Sequence, residues 1–194
     1  MNIPQNTPLV YVSFSAEISP IPTETLIATM ANCANLKVKQ VYLLISTAGG
    51  NVMNGMNLYN VLKGMPFELT THNTGNVDSI GNVIFLAGAK RYACQNSTFM
   101  FHGVGFNVGN NNLRFEEKFL KERLDGILND QRRIGAVIAE RTKLPKEEIA
   151  ALFTEAATKD ARYAIDKGIA HEIRDVNIPD GVPIISLVFQ RQGV

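Results

Sequence analysis

Three short stretches of the 194-residue sequence carry groups suited to acyl-transfer chemistry. Thr47-Ala48-Gly49-Gly50 follows an apolar run, Gly75-Asn76-Val77-Asp78-Ser79-Ile80-Gly81 leads into one, and Phe101-His102 closes a third. A serine at a helix start lies in a positive local field beside unpaired N–H groups, which suits an oxyanion. Paired glycines let a second backbone N–H approach a ligand with no Cβ in the way. A histidine brought to the serine can act as its base. Each feature alone has a plainer reading: Ser79 as a helix cap, His102 as a packed or surface residue, Gly49-Gly50 as a turn. Their order along the chain gives them weight together.

Short β-rich segments and amphipathic helices must position these groups. Residues 9–14 and 41–46 are β-branched and aromatic, and the second is almost continuously apolar, as in a strand buried on both faces. A helix from Thr23 to about Asn35 lies between them, giving a right-handed βαβ unit. Residues 52–63 place Met53, Met56, Leu58, Val61 and Leu62 at helical spacing. Residues 67–73 alternate like a third strand, Ser79 to Ala87 reads as an apolar helix, and 98–102 as a strand partnered by Arg91-Tyr92-Ala93. After a Gly/Asn-rich stretch, Leu113 to about Thr142 is the longest periodic segment. Phe115, Phe119, Leu120, Leu124, Ile127, Leu128, Ile134, Val137 and Ile138 mark one side of it. Its length, about 40 Å at 1.5 Å per residue, implies a projecting helix whose apolar stripe is covered by another copy. Two short helices and a last strand near residues 184–189 follow.

Composition bounds the possibilities. The chain is long enough for one domain, residues 1–194, and 45% hydrophobic with 19% charged residues. Lys+Arg (19) and Asp+Glu (18) nearly cancel, so the net charge of +1 provides no electrostatic footprint for nucleic acid or an acidic membrane. Cys33 and Cys94, both in segments that read as buried, fit free thiols in a reducing cytoplasm rather than a disulfide framework. The N-terminus lacks a signal pattern, and no apolar run approaches a membrane span.

The run Gly75-x-x-x-Ser79-x-Gly81, followed by Leu86-Ala87-Gly88-Ala89-Lys90-Arg91-Tyr92 and Asn96-Ser97-Thr98-Phe99-Met100-Phe101-His102, resembles the proteolytic subunit of the Clp protease. Gly49-Gly50, Thr142-x-x-Pro145 and Ala164-x-x-x-Gly168-Ile169 fall into the same register. The resemblance covers roughly residues 8 to 175 and runs without gaps from Arg91 to Gly168. It implies an α/β fold of the ClpP/crotonase type, a spiral of repeated β-β-α units, with residues 113–141 as the protruding "handle" helix and 1–8 as an N-terminal arm. It also implies a serine peptidase acting on peptides or unfolded protein inside a ring-shaped homo-oligomer. Position by position, Ser79 matches the nucleophile, His102 the general base, and the N–H groups of Gly50 and Ile80 the oxyanion hole. No metal and no organic cofactor is implied.

The departures are specific. The family's triad acid falls at Ala156, so that role has no assigned residue. Glu155, one residue earlier, would on an extended strand face the other way, and Asp160 reads as a helix cap. Asp78 beside the nucleophile is unusual for the family, as is Gly103-Val104 after the histidine. Glu155 and Arg114 match a family ion pair across the ring–ring interface with its signs exchanged, which predicts a contact between opposing subunits. The first strand begins by about Leu9, so an unfoldase-docking arm is not expected. Two rival readings remain: a catalytically silent ring subunit, and a crotonase-type acyl-CoA enzyme with Asp78 as base. His72 and His171 read as incidental.

Overall fold

In a computed structural model that describes residues 3–106 and 115–189, the first two strands, β1 (Leu9–Ser15) and β2 (Gln40–Thr47), pair in parallel from Leu9↔Gln40 to Ser15↔Ser46. Their connection is α1 (Pro20–Asn35). It starts earlier than the expected Thr23 because Pro20 and Pro22 fall in its first turn, where a missing N–H loses no helical bond. Leu26, Met30 and Cys33 form its buried side. In β2 only one face is fully buried, and alternate residues are half-exposed, unlike the two-sided burial its composition suggested.

The second helix, α2 (Val52–Lys63), is capped by Asn51, whose side chain accepts from the Asn54 N–H at 3.0 Å. Its inner face is Met56, Leu58, Tyr59 and Leu62; Met53, expected on that face, is 72% exposed. The central strand β3 (Glu68–Asp78) is longer than its alternation predicted and serves two partners. Its first half pairs with β4 (Lys90–Ala93) and its last three residues pair with β5 (Thr98–Met100). The pairing with β2 shifts register between Ile45 and Thr47, where β3 changes partners. Arg91-Tyr92-Ala93 therefore pairs with β3 and with β7 (Glu172–Ile173), not with β5 as expected.

The short helix α3 (Gly81–Phe85), which follows β3, is buried at every position. In the second described segment come α4 (Glu117–Arg141), α5 (Lys146–Glu155), β6 (Thr158–Asp160) antiparallel to β5, α6 (Ala161–Asp166), and β8 (Ile184–Leu187) parallel to β1. The sheet runs β6-β5-β3-β2-β1-β8, with β4 and β7 branching from β3. Phe14, Leu43, Ile45, Leu58, Ile80, Phe85 and Phe99 form the centre of the core, and Phe85 meets Phe99 edge-on at 5.2 Å.

Only the C-terminal half of α4 joins that core, through Ile134, Val137 and Ile138. Leu120, Leu124 and Leu128, four residues apart, are 49%, 54% and 53% exposed, so the expected stripe is present and uncovered in the single chain.

One buried side chain ties three helix ends together. The Arg91 guanidinium donates to the carbonyls of Ile169 (2.7 Å), Gly168 (3.0 Å), Arg141 (3.1 Å) and Gly88 (3.2 Å). Arg141 adds bonds to Leu86 and Gly88, both at 3.0 Å. These carbonyls lie at or just beyond the C-termini of α3, α4 and α6, where helices leave unpaired acceptors and negative potential. Burial, with the neighbouring Arg141 charge, pushes the Arg91 pKa down to about 10.

Candidate active site

The site begins where β3 stops. Asp78 ends the strand, and Ser79, at φ +56, turns the chain into α3 with Ile80 at the cap. A non-glycine residue in that region costs about 1–3 kcal/mol and persists only where its surroundings impose it. Ser79 donates its N–H to the Met100 carbonyl at 2.8 Å, which fastens the turn to the end of β5. Gly49 makes room for it: a Cβ there would stand 2.6 Å from Ser79 Cβ and 2.8 Å from the Asp78 carbonyl oxygen. Gly49 at φ +86 and Gly50 at φ +144 are pinned by Ile18, which donates to Gly49 O and accepts from the Asn51 N–H, both at 2.7 Å. A Cβ on Gly50 would collide with the Ile18 carbonyl oxygen.

His102 arrives from the other side. Regular strand ends at Met100, two residues short of the expected end, and His102 is half-buried. The chain beyond it is held by Gly103, whose N–H donates to the Phe153 carbonyl on α5 at 2.8 Å. The structure brings Ser79, His102, Gly50 and Ile80 together around one pocket of about 90 Å³. Val52, Phe101, Ile134, Ile138 and Phe153 supply its apolar walls. Ser79 and His102 share the pocket without a hydrogen bond between their side chains. Contacts of this kind commonly tighten only when substrate is bound. Among the described residues, neither the Gly50 nor the Ile80 amide donates to a protein acceptor.

The position expected for an acid holds a methyl group. Ala156 caps the C-terminus of α5 at φ +51, its N–H bonded to Leu152 O at 3.3 Å. Glu155 is the last residue of α5 rather than part of the expected extended strand, so strand alternation does not set its direction. Its exposed carboxylate lies 3.7 Å from Lys159 Nζ. Arg114, the other half of the expected intersubunit pair, lies outside the described residues. Asp160 caps α6, accepting from the Tyr163 N–H at 2.8 Å, as its type suggested. Among the described residues no carboxylate bonds to His102.

Asp78 is not part of the pocket lining. It accepts from Asn76 Nδ2 at 2.6 Å, while Asn76 is in turn held by Ser46 (2.9 Å) and the Thr47 carbonyl (3.1 Å). This placement gives no support to Asp78 as the base of an acyl-CoA enzyme. His72 proves to be a structural link rather than an isolated residue. Wholly buried, it joins the Tyr42 hydroxyl (2.8 Å) and the Arg174 carbonyl (2.9 Å), with Cys94 Sγ at 3.4 Å. Cys94 itself is only half-buried, in the turn after β4. Two residues escaped sequence reasoning: Phe153, which lines the pocket and anchors Gly103, and Asn82, a lone polar residue in the apolar α3. The polarity of Asn82 amid Gly81, Val83, Ile84 and Phe85 was a usable signal.

Fold and pocket together define a crotonase-like α/β protein with a projecting helix and a serine and a histidine at neighbouring strand ends. The chain belongs to the Clp protease family: the family described as "Clp protease" matches residues 10–177. It is similar to the ATP-dependent Clp protease proteolytic subunit 1 of Leifsonia xyli subsp. xyli, with 25% identity over 141 residues, 71% of this chain and 68% of that one. Among solved structures it resembles a point mutant of ClpP1 from Listeria monocytogenes. That match has a TM-score of 0.75 and 23% identity, covering 86% of this chain and 91% of the other. Membership makes the chain a ClpP-like protein of a hydrolase family whose work is proteolysis. No helix among the described residues is long and apolar enough to cross a membrane.

Proposed function

We propose that the protein is a serine-type endopeptidase that cleaves peptide bonds through an acyl-enzyme, with Ser79 as nucleophile and His102 as general base. One observation carries the reading: Ser79, His102 and the two oxyanion-hole residues, Gly50 and Ile80, line the same pocket. Ser79 Oγ attacks the substrate carbonyl carbon while its proton passes to His102. The Gly50 and Ile80 N–H groups hold the resulting oxyanion, a type of contact worth about 2.7–4 kcal/mol per donor. Collapse expels the amine, which takes the proton from His102. Water, with His102 again as base, hydrolyses the ester and restores Ser79. The walls formed by Val52, Ile134, Ile138 and Phe153 suit an apolar side chain of the peptide.

Alanine at position 156 sets the rate expected. Neutralising the acid of a full triad costs about 10⁴ in turnover, so the enzyme is slow. The ring-shaped homo-oligomer belongs to the same reading, supported by the exposed Leu120, Leu124 and Leu128 on α4. An opposing-subunit pair of Glu155 with Arg114 is part of it, as is a cytoplasmic setting suited to two free thiols. Reversing both charges should then restore any assembly lost on reversing either. The absent acid also favours a second reading, a peptide-binding ring subunit without turnover.

A fluorophosphonate probe separates the two. In a working site Ser79 Oγ bonds to phosphorus, fluoride leaves, and the serine proton passes to His102. We expect labelling of the wild type, none of Ser79→Ala, and strongly reduced labelling of His102→Ala. Rings in sedimentation without labelling would leave the silent subunit, and labelling indifferent to His102 would overturn the dyad.

A further inference from the structure

We infer that Asn82 is a positioning residue that holds the nucleophile turn and the strand leading to the base in one fixed relation. The inference rests on the peptidase reading and deepens it. All five residues of α3 are buried, and Asn82, 0% exposed, is the one with a hydrogen-bonding side chain. Its Nδ2 donates twice: to the carbonyl of Ser79 at 3.0 Å and to the carbonyl of Met100 at 2.8 Å. Facing two carbonyls, that end of the amide must be the NH₂ group.

The two acceptors are the nucleophile itself and the residue two before the base. The same carbonyls are each used a second time, Ser79 O by the Asn82 N–H at 3.1 Å and Met100 O by the Ser79 N–H at 2.8 Å. Ser79, Asn82 and Met100 thus form a closed set of bonds across the gap between β3 and β5. The other end of the Asn82 side chain is a liability. Its Oδ1 is buried with no partner, which is destabilising. An apolar residue would suit the burial better, so stability alone does not account for an asparagine here.

The positioning role does account for it. With Ala156 at the family's acid position, no described carboxylate orients His102. His102 is instead bracketed by backbone: Met100, two residues before it, is tied to Ser79 through Asn82, and Gly103, just after it, is tied to Phe153. The clamp also opposes relaxation of the left-handed Ser79 turn. Small errors in such geometry have large kinetic effects.

The experiment measures fluorophosphonate labelling of the full-length protein against probe concentration, with thermal stability in parallel, for wild type, Asn82→Ala and Val83→Ala. Val83 is as buried in the same helix but has no side-chain group that can donate to either carbonyl, so it reports general loosening. We expect Asn82→Ala to lower the limiting labelling rate at least tenfold with its half-saturating concentration unchanged. Val83→Ala should lower Tm and leave the rate within twofold of wild type. Should Asn82→Ala fail to fold, Asn82→Ser is judged by the same criterion. A variant at 82 that labels within twofold of wild type overturns the inference while the peptidase reading stands, as does an equal loss in Val83→Ala. An unlabelled wild type overturns the peptidase reading and the role of Asn82 with it.

Discussion

On the serine side of the pocket the backbone is held at several points around the Gly50 and Ile80 N–H groups, which are unpaired among the described residues. Ile18 grips Gly49 and Asn51, Met100 receives the Ser79 amide, and Asn82 closes the gap, with Gly49 leaving no room for a Cβ. On the histidine side regular strand stops at Met100, the Gly103–Phe153 bond holds the described chain just after His102, and Ala156 stands where the resemblance leads one to expect an acid. On the proposed reading, the nucleophile Ser79 and the oxyanion-hole residues sit in tightly held turns at strand ends, and the base His102 lies two residues past the end of β5. The strained turn and its unpaired N–H groups are thus held more firmly than the imidazole that the proposed chemistry needs.

The largest effect belongs to Ser79→Ala, which should remove labelling and peptide hydrolysis altogether; residual hydrolysis at the wild-type rate would place the chemistry elsewhere. Next comes repair of the weak side. Ala156→Asp should raise kcat by about 10²-fold or more, within the 10⁴ span of a complete triad. No gain would mean that the base is oriented by other means or that the site is silent.

Away from the pocket, Arg91→Met should cost about 3–5 kcal/mol in denaturant unfolding, because four carbonyl bonds lose their donor in a buried place. Phe153→Ala should widen the pocket while keeping the carbonyl that anchors Gly103. Its expected effect is about a tenfold shift in kcat/KM toward bulkier apolar side chains, from roughly 1–3 kcal/mol per methylene accommodated.

The smallest effect is in pH. Burial holds His72 below the usual histidine range, and burial with the charges of Arg91 and Arg141 does the same for His171. A depressed folded value means the unfolded chain takes up the proton first. Stability is therefore full above about pH 6.5 and falls as pH drops through the folded values. Melting temperature measured from pH 7.5 to 5 should decline, and His72→Gln should flatten the decline.

Much of this can be read from the residues. Gly49-Gly50, Ser79 and His102 stand out because their types suit one chemistry and their order resembles a family pattern, and α2 because its apolar spacing and Asn51 cap agree. The partnership of β4 does not, since four residues cannot declare which neighbour they pair with and a branching β3 has no local signature. Met53 misleads because it falls on the first turn, where the apolar stripe has not yet met the core. Glu155 misleads because a ten-residue helix ends on it through a left-handed alanine, a residue type that seldom signals a stop. Asn82 is easily overlooked since its role is defined by two carbonyls, one of them 18 residues away.

The alanine that ends α5 has a last consequence. Its backbone already lies in the left-handed region, where aspartate and asparagine are found several times more readily than other side-chain-bearing residues. The chain path at that spot thus accommodates a carboxymethyl group as comfortably as a methyl, with no refolding needed to exchange them. On the proposed reading, a slow hydrolase and a faster one are then one substitution apart on an otherwise unaltered frame.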